Sequence, residues 1–152
     1  GHSVIIFSQF TSMLSIIARQ LEETGIAYYY LAGSTKAVDR KRYVKEFNEG
    51  LAHVFLVSLK AGGTGLNLVG ADTVIHFDPW WNPAVEEQAT DRAYRIGQSK
   101  KVHVIKYVMK DSIEEKIYQL QRKKKELSDH VIDAGEVFIN HLSKEELLEL
   151  FE

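Results

Sequence analysis

Gln88, Arg92 and Arg95 are spaced i, i+4, i+7, which puts three side chains on one face of an α-helix. Two guanidiniums one turn apart make a forked cationic face suited to phosphate oxygens. Val85, Ala89, Ala93 and Ile96 would cover another face, and the competing explanation for the arginines is pairing with Glu86, Glu87 or Asp91. A second feature is the run Ser58-Leu59-Lys60-Ala61-Gly62-Gly63-Thr64-Gly65-Leu66-Asn67-Leu68, whose glycines let the main chain approach a ligand closely. It is neither of the common nucleotide loops. Leu68 stands where a dinucleotide fingerprint needs its third small residue, and no Gly-Lys-Ser/Thr triplet occurs to form a P-loop. Val74 to Asp78 imitates the apolar strand whose terminal Asp holds magnesium in nucleotide hydrolases, but without a P-loop there is no phosphate for that metal to bridge.

Other polar loops are less demanding. Ser8-Gln9-Phe10-Thr11 could offer N–H groups to a phosphate or could simply start a helix. Gly33-Ser34-Thr35 precedes Lys36, Arg40, Lys41 and Arg42, which suits a phosphate backbone or a solvated face. Trp80 and Trp81 are adjacent on a loop and cannot both face one core, so one of them is expected to meet a partner unless both pack under neighbouring loops. The six histidines have no metal-ligand spacing and read as packing or surface residues, and Arg122 to Lys125 reads as a solvated helix face.

These residues need a scaffold, and the hydrophobic pattern supplies one. Strand-like runs at Val4–Phe7, Ala27–Leu31, His53–Ser58, Thr73–Asp78 and Val102–Met109 alternate with helical patterns. The first helix carries Leu14, Ile17, Ala18 and Leu21 on one face, with Ser12 as its expected cap and Gly25 as its stop. The second carries Val38, Tyr43, Val44 and Phe47 up to Gly50. The third starts at Asn82-Pro83 and is expected to run to Gly97. A long charged helix follows, with Asp111 and Glu114 as its capping signal and Ile113, Ile117, Leu120 and Leu127 as its stripe; Ser143 with Glu146 starts a short last one. Alternating strands and helices imply an α/β fold, a parallel sheet with helices on both faces. Ligands then sit at the carboxyl ends of the strands, in the loops after Phe7, Leu31, Ser58, Asp78 and Met109.

Composition narrows the classes. The 152 residues are 45% hydrophobic, enough for one real core. No apolar run approaches the roughly 20 residues of a membrane-spanning helix, so a soluble chain without a membrane partner is expected. Zero Cys excludes a thiol nucleophile, a disulfide scaffold and Cys-based metal sites. A net charge of -2 argues against nucleic acid coating the whole surface, so any phosphate contact is local. The opening strand has only Gly1, His2 and Ser3 before it, which reads as a cut from something larger.

Five blocks taken together carry a family resemblance: Ser8-Gln9-Phe10; Leu31-Ala32-Gly33-Ser34-Thr35 with Arg40; Ser58 to Leu68; Asp78-Pro79-Trp80-Trp81-Asn82-Pro83; and Gln88-Ala89-Thr90-Asp91-Arg92-Ala93-Tyr94-Arg95-Ile96-Gly97-Gln98. Over essentially its whole length the chain resembles the second RecA-like lobe of the Swi/Snf-type ATPases of helicase superfamily two, motifs IV, IVa, V, Va and VI in order. The wording is most similar to prokaryotic members. The resemblance implies a RecA-like lobe over 1–110 and a helical extension over 111–152. The helix from Ser112 to His130 is similar to the brace that packs back on the first lobe. It also implies an ATP-driven motor on double-stranded DNA, cytoplasmic and on the nucleoid in a prokaryote, nuclear in a eukaryote. The first lobe of the same polypeptide would hold the P-loop, the Asp-Glu box and Mg2+, so this lobe alone would hold neither ATP nor metal. Arg92 and Arg95 would be arginine fingers, with Gln88 orienting them or lining the cleft. Gly63, Gly65 and Asn67 would link nucleotide to track, and Ser8, Gln9, Ser34, Arg40, Ser58 and Lys60 would touch one DNA strand. Trp81 would reach the minor groove, whereas Trp80 stands where many remodellers have an acidic residue. A stand-alone dinucleotide-binding enzyme and an inert interaction module are the other two readings.

Overall fold

The computed structural model describes residues 1–61, 66–80, 83–93, 101–127 and 143–145. Its elements are β1 (Val4–Ser8), α1 (Thr11–Glu23), β2 (Tyr28–Leu31), α2 (Ala37–Asn48), β3 (Val54–Ser58), β4 (Thr73–His76), α3 (Pro83–Thr90), β5 (His103–Lys106) and α4 (Ile113–Leu127). The five strands form one sheet in the order β2-β3-β1-β4-β5, and every pairing is parallel. This is the α/β architecture the sequence implies. The first strand takes the centre, with the apolar β3 beside it.

Alternation along the strands splits the core in two. Ile5, Phe7, Phe55 and Val57 point to one face, where Phe47 of α2 and Ala89 of α3 join them in a single cluster. Ile6 and Leu56, one residue out of phase, point to the other face and meet Leu14, Ala18 and Ile17 of α1. Each fully buried large apolar side chain is worth about 1.5–3 kcal/mol, so covering both faces is what holds the sheet together. Helices α1 and α2 end in the same way. Gly25 (φ 68°) and Gly50 (φ 82°) take the left-handed position, and the N–H groups of Ile26 and Leu51 reach back to the carbonyls of Leu21 and Glu46.

Four expectations are corrected. Ser12 does not cap α1: the helix starts at Thr11 with Phe10 as its cap residue and no side-chain cap, while the Ser8 hydroxyl accepts the Phe10 N–H at 3.1 Å. Strand β4 ends at His76 and β5 at Lys106, two and three residues short of the expected bounds. Helix α3 stops at Thr90. Its last turn tightens, with Arg92 N–H on the Ala89 carbonyl and Ala93 N–H on the Thr90 carbonyl, so Arg92 lies on a turn rather than on an uninterrupted helix. At the start of α4 the capping hydroxyl is Ser112, which accepts the Glu114 N–H at 3.2 Å; Asp111, the expected cap, instead adopts a left-handed φ of 56°.

Candidate functional site

The strand register brings five loops to one edge. Ser8 pairs with Ser58, Leu31 with Val57, Phe7 with His76, and His76 with Lys106, so the carboxyl ends of all five strands open on the same side. Of the residues singled out in the sequence, Ser8, Gln9, Ser34, Arg40, Ser58, Lys60, Asn67, Gln88 and Arg92 lie among those described. Gly63, Gly65, Trp81 and Arg95 lie outside them.

The loop after β2 is closed by its own threonine. Thr35 Oγ1 accepts the Ala32 N–H at 3.0 Å, and the Thr35 N–H returns to the Ala32 carbonyl at the same distance, which leaves Ser34 exposed at the tip. From α2, Arg40 Nη1 donates to the Ala61 carbonyl at 3.1 Å and so ties this side of the edge to the loop after β3. Lys60 is exposed beside it. Arg40, Ser34 and Lys60 are therefore brought to one part of the surface.

Ser8 and Ser58 are placed differently. Both are buried at the ends of paired strands, and the Ser8 hydroxyl donates to Asp78 Oδ2. Asp78 is 6% exposed, and its other oxygen accepts the Gln9 N–H at 2.9 Å. Burial raises the Asp78 carboxyl above the ordinary range, while the bonds from Ser8 and Gln9 pull it back. Its partners are a hydroxyl and an amide 70 and 69 positions away, so the resemblance to a magnesium-holding Asp does not extend to its surroundings.

The loop after β4 carries more such ties. Gln9 Nε2 donates to the Pro79 carbonyl at 3.2 Å, the Trp80 N–H donates to Glu86 Oε1 at 2.6 Å, and Gln121 of α4 donates to the Trp80 carbonyl at 3.2 Å. Glu86 is 2% exposed and forms an ion pair with Lys106 of β5 at 2.5 Å. Glu86 thus pairs with a lysine. Trp80 packs against the main core. The sequence reading named neither Asp78 nor Glu86 as a site residue, because the partners that define them are distant in the chain.

His76 lies in the same neighbourhood, 1% exposed, stacked on Phe7 and 2.9 Å from Thr90 Oγ1. Desolvation lowers its pKa to about 4, so it is a neutral packing residue at ordinary pH.

The glycine-rich loop and the arginine turn meet. The Leu68 N–H donates to the Arg92 carbonyl at 2.9 Å, and Asn48, at the end of α2, holds the Asn67 carbonyl at 2.8 Å and the Gly70 N–H at 2.9 Å. Arg92 is 6% exposed, whereas Gln88, four residues earlier, is exposed. The turn after Thr90 separates the two environments that a continuous helix would have kept on one face.

The order of these loops and the sheet that carries them define a helicase-type RecA-like lobe. The family described as the helicase conserved C-terminal domain matches residues 1–97, and the chain belongs to it, as the C-terminal lobe of a Swi/Snf-type helicase. YwqA of Bacillus subtilis (strain 168), named as an ATP-dependent helicase/translocase, is 48% identical over 152 residues, covering 99% of this chain and 16% of its own length. Helicase SWR1 of Candida glabrata is 40% identical over 152 residues, covering 99% and 10%. Among solved structures, the SWI2/SNF2 ATPase core domain of Sulfolobus solfataricus superposes with a TM-score of 0.77 at 38% identity, over 98% of this chain and 30% of that one. The C-terminal part of the Fun30 ATPase domain gives a TM-score of 0.78 at 39% identity, over 98% and 45%. The chain spans about a sixth or less of the curated relatives it matches. The dinucleotide-enzyme reading is set aside by this membership.

Proposed function

We propose that this chain is the C-terminal motor lobe of a DNA-stimulated ATPase that translocates on double-stranded DNA. Residues 1–110 form the lobe, and 111–152 form a helical extension directed toward the first lobe of the same polypeptide. The observation that carries the reading is the bond between the Leu68 N–H and the Arg92 carbonyl, which fastens the glycine-rich loop to the arginine-bearing turn. A ligand that orders one segment therefore bears on the other. The relatives' names, an ATP-dependent helicase/translocase and an SWI2/SNF2 ATPase core domain, support the same conclusion.

ATP would supply the phosphoanhydride whose cleavage drives movement. On this side of the cleft the donors are cationic and amide groups, Arg92, Arg95 and Gln88, which suit phosphate oxygens. Mg2+ would be held by the first lobe, to which the family resemblance gives the P-loop and the Asp-Glu box. Arg92 and Arg95 would neutralise charge spreading over the γ-phosphoryl oxygens, and Gln88, exposed one turn earlier, would line the cleft. Gly63, Gly65 and Asn67 relay between nucleotide and track. Gln9, Ser34, Arg40 and Lys60 touch phosphates of one strand, giving position rather than sequence preference. Ser8 and Ser58, being buried, shape the backbone that those residues stand on. Trp81 contacts the minor groove.

The test is turnover in the two-lobe polypeptide. Arg92→Ala or Arg95→Ala should lower DNA-stimulated kcat by about 10³ to 10⁵, the range known for arginine fingers, while duplex affinity and the thermal melt are retained. Lys should not rescue, since it cannot present two parallel donors. Near-parental turnover in both variants would remove the assignment, and a large loss of melting temperature would make the arginines structural.

A further inference from the structure

We propose that Asp78 and Glu86 are positioning residues, a pair of buried carboxylates that hold the segment Asp78-Pro79-Trp80 in one conformation between the loop after β1 and strand β5. The functional part of this proposal rests on the reading above. Neither carboxylate is used in that mechanism, yet they are 6% and 2% exposed. Burying a carboxylate costs several kcal/mol unless it is well bonded, and apolar packing usually stabilises at least as well. Here both oxygens of each are engaged. Asp78 takes the Ser8 hydroxyl and the Gln9 N–H; Glu86 takes the Trp80 N–H and the Lys106 ammonium. Glu86 also lies in the first turn of α3, where the helix dipole favours a negative charge.

The result is a segment anchored residue by residue. Asp78 is held through its side chain, Pro79 through its carbonyl by Gln9, and Trp80 through its N–H by Glu86 and its carbonyl by Gln121. Four elements converge on three residues: the loop after β1, α3, β5 through Lys106, and α4. Such a mount transmits displacement of any one element to the others, because no backbone polar group named here can shift without breaking a bond. The residue that follows Trp80 is the tryptophan assigned to DNA above, so the mount sets how ATP-driven motion reaches the track.

Two measurements separate the mount from the motor. The chain contains two tryptophans, both at this segment, so intrinsic fluorescence reports on it directly in the 152-residue protein. Asp78→Asn and Glu86→Gln keep shape and remove charge; acrylamide quenching should rise and the emission should shift to the red, more than in Val74→Ala, a core change compared at equal loss of melting temperature. In the two-lobe polypeptide the same substitutions should lower base pairs moved per ATP by about tenfold, since each removes a hydrogen bond to a charged group that holds the segment. Lys106→Met should do the same by leaving Glu86 uncompensated. Unchanged quenching in both carboxylate variants overturns the mount, as does an equal effect from Val74→Ala. Parental movement per ATP in both variants overturns its role in coupling. A two-lobe parent without DNA-stimulated turnover removes the motor reading instead, and the quenching comparison still decides the mount.

Discussion

The loop after β4 and the loop after β2 leave the same edge of the sheet and are secured in opposite ways. Asp78 to Trp80 is held by Ser8, Gln9, Glu86 and Gln121, and two buried carboxylates, Asp78 itself and Glu86, take part. Ala32 to Thr35 is closed by its own threonine and offers Ser34 to solvent, with the basic residues of α2 behind it. A strand end can therefore hold a loop in place or leave it to adapt to a ligand. Under the proposed function, a track with a regular phosphate spacing would use both: adaptable contacts to its backbone and at least one fixed point that moves with the lobe.

This contrast can be broken in graded steps. The largest stability effect is expected from Asp78→Ala, which leaves the Ser8 hydroxyl and Gln9 N–H without their acceptor in a buried place. A loss of about 2–4 kcal/mol by urea denaturation is expected. A loss below about 0.5 kcal/mol would equate this loop with that of Ser34.

Next comes pH. His76 is neutral in the fold and has a pKa of about 4 there, against 6.5 when free. Below pH 6.5 the unfolded chain binds a proton that the folded chain does not, so stability falls as pH drops, by about 1.4 kcal/mol per unit until the folded pKa is reached. Asp78 acts with the opposite sign, since its raised pKa makes the fold take up a proton earlier than the unfolded chain does. Denaturation midpoints of the parent and His76→Gln between pH 7 and pH 4.5 isolate the histidine part: the parent should lose stability more steeply.

Gly70→Ala is third. A Cβ there would lie 2.9 Å from the Asn48 Cα and 3.2 Å from the Phe47 carbonyl oxygen, backbone atoms that cannot turn aside. About 1–3 kcal/mol is expected, the usual cost of overpacking. The anchor of the glycine-rich loop on Asn48 should weaken with it, seen as faster amide exchange at Gly70 and Leu68.

The smallest effects belong to the open side. Ser34→Ala should stay within about 0.5 kcal/mol of the parent in stability. Lys60→Ala should lower the slope of log affinity against log salt for duplex DNA by about 1 while leaving the melt alone. An unchanged slope would take Lys60 off the DNA face.

The parts legible in the sequence were those with local signals. Period-two and period-3.6 patterns located the strands and helices, and Gly25 and Gly50 marked two helix ends because a left-handed residue was needed there. The motif order located the family. What stayed hidden depends on pairing across the chain. Nothing near Asp78 announces Ser8, 70 positions away, and nothing near Glu86 announces Lys106, 20 positions on. The end of α3 was misread for a related reason: the pattern of Ala89 and Ala93 continues helically, but the Arg92 carbonyl is taken by Leu68. Ser12 failed as a cap because it is the second residue of α1, already inside a helix that starts at Thr11.

The strand order has a consequence for synthesis. β1 lies at the centre of the sheet, and both of its neighbours come late: Val4 meets Val54 on one side and Thr73 on the other. A ribosome adding about 5–20 residues per second leaves this apolar strand without its native partners for several seconds. All its pairings are non-local, the kind that slow folding and expose sticky surface meanwhile. α1 is the one neighbour that emerges early. Its Leu14 and Ala18, which cluster with Leu56 and Ile6 in the folded protein, are therefore synthesised well before β3 joins them.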